Sequence, residues 1–516
     1  MLAVFPVKQL KTLVPLLVLV FLGGRDDTAW RVGGAAVALA LVVGMGAVRW
    51  MTIRYRVDGE RVELRAGLLN RRHRSLRRDR VRTVDLTASL VHRVLGLSVV
   101  EIGTGSQSSS EGRLSLDAVS HAEADRLRRE LLNRSPVSEG PMARPEQGPG
   151  AGPAGGGPTA APDTGLTSPP DMTDPPERLV ARLRPTWIRF APLSTSGVVA
   201  VAAVAGVAFQ VVGDLDLHLN EFDILQRAGD RLDAVPIWAA VLAAAAALAV
   251  LGAFGSVAIY LESWWGYRLT EEPDSTLRLR RGLLTTRSLS IERSRVRGAE
   301  VTRSPLLRLF GGARCFAVTT GLKGRSSGDG ALLPPAPLAE AHRVAAAALG
   351  LHDASPATGA DLRGHPSAAL RRRLTRTLAP AAIVVALLWW FSPELGPGLG
   401  PLWPLGSLLL PVAAVIGFDR YRNLGHALTP GYLVIGPPSL THRRIALQRS
   451  GVIGWRLRQS VFQRHAGLVT LDVVTAAGRG RYPVVDIPMV WALALVDEIN
   501  PRLLPATAGG YRTGSG

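Results

Sequence analysis

A valine, a serine eight residues on, an arginine four further and a glycine three beyond that recur three times. The copies are Val81, Ser89, Arg93, Gly96, then Val296, Ser304, Arg308, Gly311, then Val452, Ser460, Arg464, Gly467. The first two also share a glycine fourteen residues before the valine, Gly67 and Gly282, each followed by Leu-Leu. The triplets Arg80–Arg82 and Arg295–Arg297 fall in step as well. Each copy comes shortly after long uncharged stretches, so the chain reads as one unit used three times, an apolar hairpin followed by a polar module.

The apolar stretches have the length a bilayer requires. A hydrocarbon core of about 30 Å is crossed by roughly 20 helical residues. No charge interrupts Phe190 to Gly213, Ala234 to Leu261 or Leu395 to Phe418, and the shorter windows Val32 to Val48 and Thr377 to Pro393 are flanked or tailed by tryptophan. The first stretch is uncharged only from Thr12 to Gly24 and reaches full length if Lys8 and Lys11 snorkel. No small-x-small site follows it, which favours a retained helix over a cleaved signal. Six spans in three hairpins are predicted.

Their orientation follows from loop charge. Arginines crowd before the third and fifth spans (Arg178, Arg182, Arg184, Arg189; Arg363, Arg371, Arg372, Arg373, Arg376) and follow the second, fourth and sixth. The loop Asp214 to Asp233 holds six acidic residues against Arg227 and Arg231. By the positive-inside rule both termini and all three modules are cytoplasmic, in the cell membrane.

Within each module short alternating runs replace the long apolar ones. Arg61-Val62-Glu63-Leu64-Arg65 follows the hairpin signal Asp58-Gly59, Leu277-Arg278-Leu279-Arg280 precedes Gly282, and Leu468 to Val474 precedes the turn Gly478 to Gly480. A helical stretch closes each module: Ser120 to Leu132, Pro337 to Leu349 and Met489 to Ile499. The expected fold of each is a small antiparallel sheet plugged by a C-terminal helix. Domain boundaries follow: hairpins at 1–53, 185–264 and 377–420, and modules at 54–134, 265–351 and 421–505. A linker at 135–184, another at 352–376 and a tail at 506–516 complete the chain. Residues 136–176 hold 11 prolines and 8 glycines, a composition for a flexible tether that leaves the first unit free to move.

These landmarks carry a family resemblance. Ser89-Leu-Val-His-Arg93-Val-Leu-Gly96 is similar to the short turn before a strand in the bacterial pleckstrin-homology-like domain membrane proteins of the YdbT type. The segments Ser304 to Gly311 and Ser460 to Gly467 resemble it too. The third copy departs at its start, where Pro437-Pro438 replaces Gly-Leu-Leu and disfavours early strands, since proline donates nothing to a ladder. The resemblance implies membrane hairpins alternating with PH-like modules, and no known reaction. In the turn itself, the glycine is expected to end a helical turn at positive φ, and the arginine to bond local carbonyls or a carboxylate.

Chemistry is sparse. There is no phosphate-binding loop, no His-Glu-x-x-His and no nucleophile elbow, and the single cysteine, Cys315, excludes intrachain disulfides and cysteine-based zinc cages. Neither a cofactor nor catalysis is expected. The net charge of +19 is almost all arginine, a bias codon usage also produces, so no nucleic-acid partner is inferred from it. The candidate contact residues are Arg71, Arg72, Arg74, Arg78, Arg80 and Arg82 in module one, with Arg293, Arg295 and Arg297 in module two. Near an anionic leaflet each such charge is worth about 1 kcal/mol.

The reading is therefore a non-enzymatic platform at the inner face of the membrane. Its partners are membrane lipids and another membrane protein or a second copy. The alternative is a transporter or export accessory acting on membrane-active compounds. Topology is open to direct test with single cysteines in a Cys315→Ser background. A cysteine at Gly229 should react with an impermeant maleimide on whole cells, and one at Gly105 only after lysis. External labelling of Gly105 would overturn the orientation.

Overall fold

The computed structural model describes residues 54–57, 61–66, 72–77, 81, 83–103, 113–132, 177–194, 206, 237–320, 330–392 and 403–501. Module one has strands β1 (Arg54–Val57), β2 (Arg61–Ala66), β3 (Arg72–Arg77) and β4 (Thr83–Ala88), then a one-turn helix, Leu90–Val94. Strands β5 (Leu97–Gly103) and β6 (Arg113–Ser120) and the closing helix His121–Leu132 complete it. Module two follows the same order: β8 (Arg268–Glu271), β9 (Thr276–Arg281), β10 (Thr286–Glu292), β11 (Val296–Arg303), the short helix Pro305–Leu309, β12 (Gly312–Thr319), β13 (Ala331–Pro337) and the helix Leu338–Leu349. Module three gives β15 (Gly425–Leu428), β16 (Tyr432–Gly436), β17 (His442–Gln448), β18 (Val452–Arg458), the short helix Val461–His465, β19 (Leu468–Thr475), β20 (Arg481–Pro488) and the helix Met489–Ile499. Pro437-Pro438 sits in the turn after β16, outside the ladder, so the early strands of the third copy form after all.

The recurring turn has one geometry in all three copies. The arginine N–H donates to the serine carbonyl at 2.9 Å each time, and the glycine N–H to the arginine carbonyl at 3.1–3.2 Å. Gly96, Gly311 and Gly467 have φ of 65°, 70° and 64°, as expected of a left-handed turn end. A bulge follows two residues later in every copy, between Ser98 and Val100, Ala313 and Cys315, and Val469 and Leu471. The repeat is thus legible down to the irregularities of its ladders.

Two further strands lie ahead of the segments expected to be the second and third hairpins. Strand β7 (Arg178–Arg182) pairs antiparallel with β8, and the two-residue β14 (Arg363–Gly364) pairs with β15. Both fall in segments expected to be linkers. In the second and third units the segment expected to be a hairpin therefore lies between this outer strand and the first strand of the module. The sequence pattern hid this, because each outer strand is short and separated from its partner by the whole hairpin.

The modules do not stand apart. Strand order runs β6-β5-β4-β10-β9-β8-β7 in one seven-stranded sheet and β13-β12-β11-β17-β16-β15-β14 in another. The fourth strand of one module thus pairs with the third strand of the next. Both junctions share a register: Val84, three residues past its repeat valine, faces Ser290, and Ala299, three past Val296, faces Ala446. Gly298 permits the second approach, since a Cβ there would collide with the Ala446 carbonyl oxygen. The free tether expected at 136–176 does not uncouple module one, because backbone hydrogen bonds between β4 and β10 bind it to module two. At the two ends of the array β1-β2-β3 and β18-β19-β20 remain three-stranded sheets, so β3 and β18 are edges.

Among the described residues one helix, Ile237–Trp264, contains a stretch long and apolar enough to cross a membrane, Ala246–Trp264. The first and second expected spans lie outside the described residues, as does most of the third. The fifth lies in the helix Ser367–Trp390, whose first turns are arginine-rich. The expected sixth is divided into the helices Trp403–Gly406 and Leu409–Arg422, with Ser407 and Leu408 between them. These helices are tied to the modules. Tyr260 and Tyr267, at the end of the long helix and just after it, donate to the Pro335 and Leu332 carbonyls at 3.3 and 2.8 Å. Asp486, fully buried, receives both Arg372 and Arg373 from the helix Ser367–Trp390, and Gln463 at 2.8 Å. A buried carboxylate is stable only with such countercharges.

The turn glycines lend themselves to a test. No atom lies within 4 Å of a Cβ built on Gly96, so the constraint there is the dihedral angle alone. Gly96→Val forces a β-branched residue into positive φ at about 1–3 kcal/mol, whereas Gly96→Asn tolerates the angle. Limited proteolysis of the full chain should find module one cut several-fold faster in the valine variant and near wild type in the asparagine variant. Equal resistance of valine and wild type would exclude the left-handed turn.

Candidate anion-binding site between modules one and two

The shared sheet of modules one and two builds a basic cavity. Along β9 alternate residues share a face, so Leu277, Leu279 and their neighbours enter the core of module two while Arg278 and Arg280 lie on the opposite face. The register sets Arg268 of β8 directly across from Arg280, and Ser288 of β10 on the other side of it. The closing helix of module one lies over this face. Arg128, almost fully buried, donates to Ser290 Oγ at 2.8 Å and forms an ion pair with Glu272, while Asp125 pairs with Arg278 at 3.2 Å.

Between that helix and the sheet remains a cavity of about 500 Å³. Six arginines line it, Arg93, Arg268, Arg278, Arg280, Arg281 and Arg287, with Asp125 as the acidic residue among the lining residues. Burial, followed by repulsion from Arg128 and Arg280, lowers the affinity of Arg278 for its proton. Like charges directly across a ladder disfavour pairing by roughly 0.2–1 kcal/mol. Both Arg268 opposite Arg280 and Arg281 opposite Arg287 carry that penalty. An anion held between them removes it.

Trp265 and Gly266 also line the cavity, immediately after the apolar helix. Arg281 stacks on Trp264, 4.3 Å from the ring centroid. The site therefore opens at the level where that helix ends. Guanidinium forks suit the oxygens of phosphate, and a neighbouring indole belt suits an acyl-chain boundary.

The arginines singled out in the sequence have other fates. Arg71, Arg78, Arg80 and Arg82 lie outside the described residues, and Arg72 and Arg74 are placed only as backbone of β3. Arg293 forms an ion pair with Glu271 at 2.6 Å and donates to the Ala347 carbonyl in the last turn of a helix. Arg295 is buried, bonded to Glu292 and to the Val81 carbonyl of module one, each at 2.6 Å. Arg297 lies against Gly451 of module three. Arg293 and Arg295 hold the fold together rather than forming an open basic face.

Of the landmark arginines, expected to bond local carbonyls or a carboxylate, one finds a carboxylate and one a distant carbonyl. Arg93 donates to the Leu283 carbonyl of the next module at 2.7 Å, and Arg308 forms an ion pair with Asp419 at 2.7 Å and contacts His442. Arg464, in the third copy, is exposed. The alternation Leu277-Arg278-Leu279-Arg280 was the available signal for the cavity. Its other wall belongs to a module 150 residues away and had no local signature.

Comparisons with known proteins agree with this architecture. The family model for the bacterial PH domain matches residues 10–135, 200–351 and 374–498. The UPF0699 transmembrane protein YdbT of Bacillus subtilis (strain 168) is 20% identical over 482 residues, covering 90% of this chain and 88% of the relative. No solved structure matches. Three successive matches, each containing one copy of the turn, make this chain a member of the bacterial PH domain family.

Proposed function

We propose that this chain is a non-enzymatic, polytopic membrane protein whose three modules form one platform on the inner leaflet and hold anionic lipid headgroups. Six spans, with both termini cytoplasmic, place the modules there. The observation that carries the reading is the arginine-lined cavity beside Trp265, at the end of an apolar helix. The long helix keeps the pocket at the leaflet surface, so modest attraction is sufficient. Native mass spectrometry of the full-length protein in mild detergent tests this, with phosphatidylglycerol, phosphatidylcholine and soluble glycerol phosphate as probes. Phosphatidylglycerol should be retained over phosphatidylcholine. At about 1 kcal/mol per charge, an Arg268→Gln/Arg280→Gln variant should lose roughly 30-fold in affinity. Equal retention of the two lipids, or an unchanged double variant, would sink the proposal.

The free edge β18 supports a second part of the reading, a protein partner added as a strand. In modules one and two the same strand carries the next module. On β18, Ile453 and Leu457 are exposed, with Arg456 and Arg458 beside them. Pairing with β3 of a second copy in the junction register would set Arg456 opposite Arg74 and Ile453 opposite Arg77, while Arg458, opposite Arg72, is already ion-paired with Asp472. That repulsion disfavours self-assembly and selects an acidic partner edge. The expectation is specific: wild type remains single-copy by mass photometry, while Ile453→Glu/Arg456→Glu converts the opposed charges to attraction and forms head-to-tail oligomers. A wild type already multimeric through β18, or a variant that stays single, contradicts it.

A further inference from the structure

The short helices of the recurring turn, Leu90–Val94, Pro305–Leu309 and Val461–His465, share a division of side chains that neither the sheets nor the basic cavity explains. Three residues after the serine, each sends one side chain inward: His92, Leu307 and Gln463 are all buried. Around that anchor the apolar residues face out. Val94 is 85% exposed, Leu309 77%, Phe310 62% and Phe462 78%, and Leu90, Leu306 and Val461 are also exposed. A soluble module gains nothing from three such patches at equivalent positions, and exposed apolar clusters mark contact surfaces.

Each patch lies beside the end of a membrane-directed helix. Arg93 binds the Leu283 carbonyl, and the Leu283 N–H donates to the Glu262 carbonyl in the last turn of Ile237–Trp264 at 2.8 Å. Leu283, Leu284 and Trp265 there are themselves exposed. Arg308 pairs with Asp419, near the end of Leu409–Arg422, and the Ser304 hydroxyl donates to the Leu193 carbonyl at 3.4 Å. Arg372, in the charged first turns of Ser367–Trp390, donates to Ser460 Oγ at 3.2 Å. Three independent tethers thus hold the three short helices at the height where the long helices leave the apolar zone.

We infer that the short helices are interfacial wedges, with Val94, Leu309, Phe310 and Phe462 immersed in the boundary between headgroups and acyl chains of the leaflet that the modules face. This rests on the membrane reading above. The serine-arginine-glycine pattern then acquires a common purpose. The glycine closes the helix after one turn, the arginine or serine fastens it to a span end, and the residues between them enter lipid. Apolar side chains inserted in this way seat a module on a membrane without a charged ligand.

Environment-sensitive fluorescence on the full-length protein tests it. Single cysteines at Val94, Leu309 and Phe462 carry an NBD probe, in nanodiscs of equal parts phosphatidylcholine and phosphatidylglycerol with or without nitroxide-bearing lipid. Cys315 is fully buried and remains unlabelled. Val250, exposed on the apolar helix, is the lipid control, and Asp497, on the closing helix of module three, is the water control. The three wedge positions should emit to the blue of Asp497 and be quenched several-fold by nitroxide lipid. Water-like emission without quenching overturns the inference, as does blue emission without quenching, which assigns the patch to a protein cover. If Val250 also escapes quenching, the membrane reading itself falls. If only the wedge positions escape, that reading stands and the wedges do not.

Discussion

Antiparallel pairing of the fourth strand of one module with the third strand of the next is the interaction on which the rest of the molecule depends. It occurs twice in the same register, β4 with β10 and β11 with β17. Each pairing satisfies the backbone groups of two would-be edges and removes the aggregation hazard of exposed strands. It also brings the closing helix of module one over the outer face of β9 and β10, and only there does the basic cavity exist. A domain that cannot pair its edges alone becomes, in series, a continuous array with two distinct ends.

The arginine excess serves this array in several different ways. Some guanidiniums are fasteners between modules, Arg295 to Val81, Arg128 to Glu272 and Arg479 to Glu300, while Arg372 and Arg373 fasten the third unit's helix to Asp486 of its own module. Glu300 and Asp486 are buried and Glu272 is partly so, and such pairs act in a medium that strengthens them, whereas exposed pairs contribute little. Others, Arg268 and Arg280, face each other across the ladder at the mouth of a cavity. Charge count alone does not separate the two uses. The position of each residue on the pleat does.

Much of the architecture was legible in the chain. The eight-four-three spacing located three turns, and the positive φ of Gly96, Gly311 and Gly467 follows from glycine standing where a helix stops before a strand. Closing helices fell within a residue or so of their expected bounds, because an amphipathic stretch after a sheet signals itself. The outer strands β7 and β14 were missed for a physical reason. A strand of two to five residues has too little period to read, and its partner lies beyond a hairpin. The cavity was not legible, because Arg268 and Arg280 stand in ordinary alternating segments; of the arginine run Arg71 to Arg82, most lies outside the described residues.

By itself the sequence determined the repeat, the local turns, the alternation that gives each sheet one apolar face, and the long uncharged stretches. All of these depend on neighbours a few residues apart, through backbone sterics, side-chain period and hydropathy. Tertiary structure decided which edges meet, that module one is bound to module two through β4 and β10, and which arginines are fasteners and which line a cavity. It also decided that the apolar residues beside Arg93, Arg308 and Arg464 face outward. Such outcomes depend on pairing between segments far apart in the chain. Strand edges are chemically alike in every sequence, so only the assembled geometry selects among them.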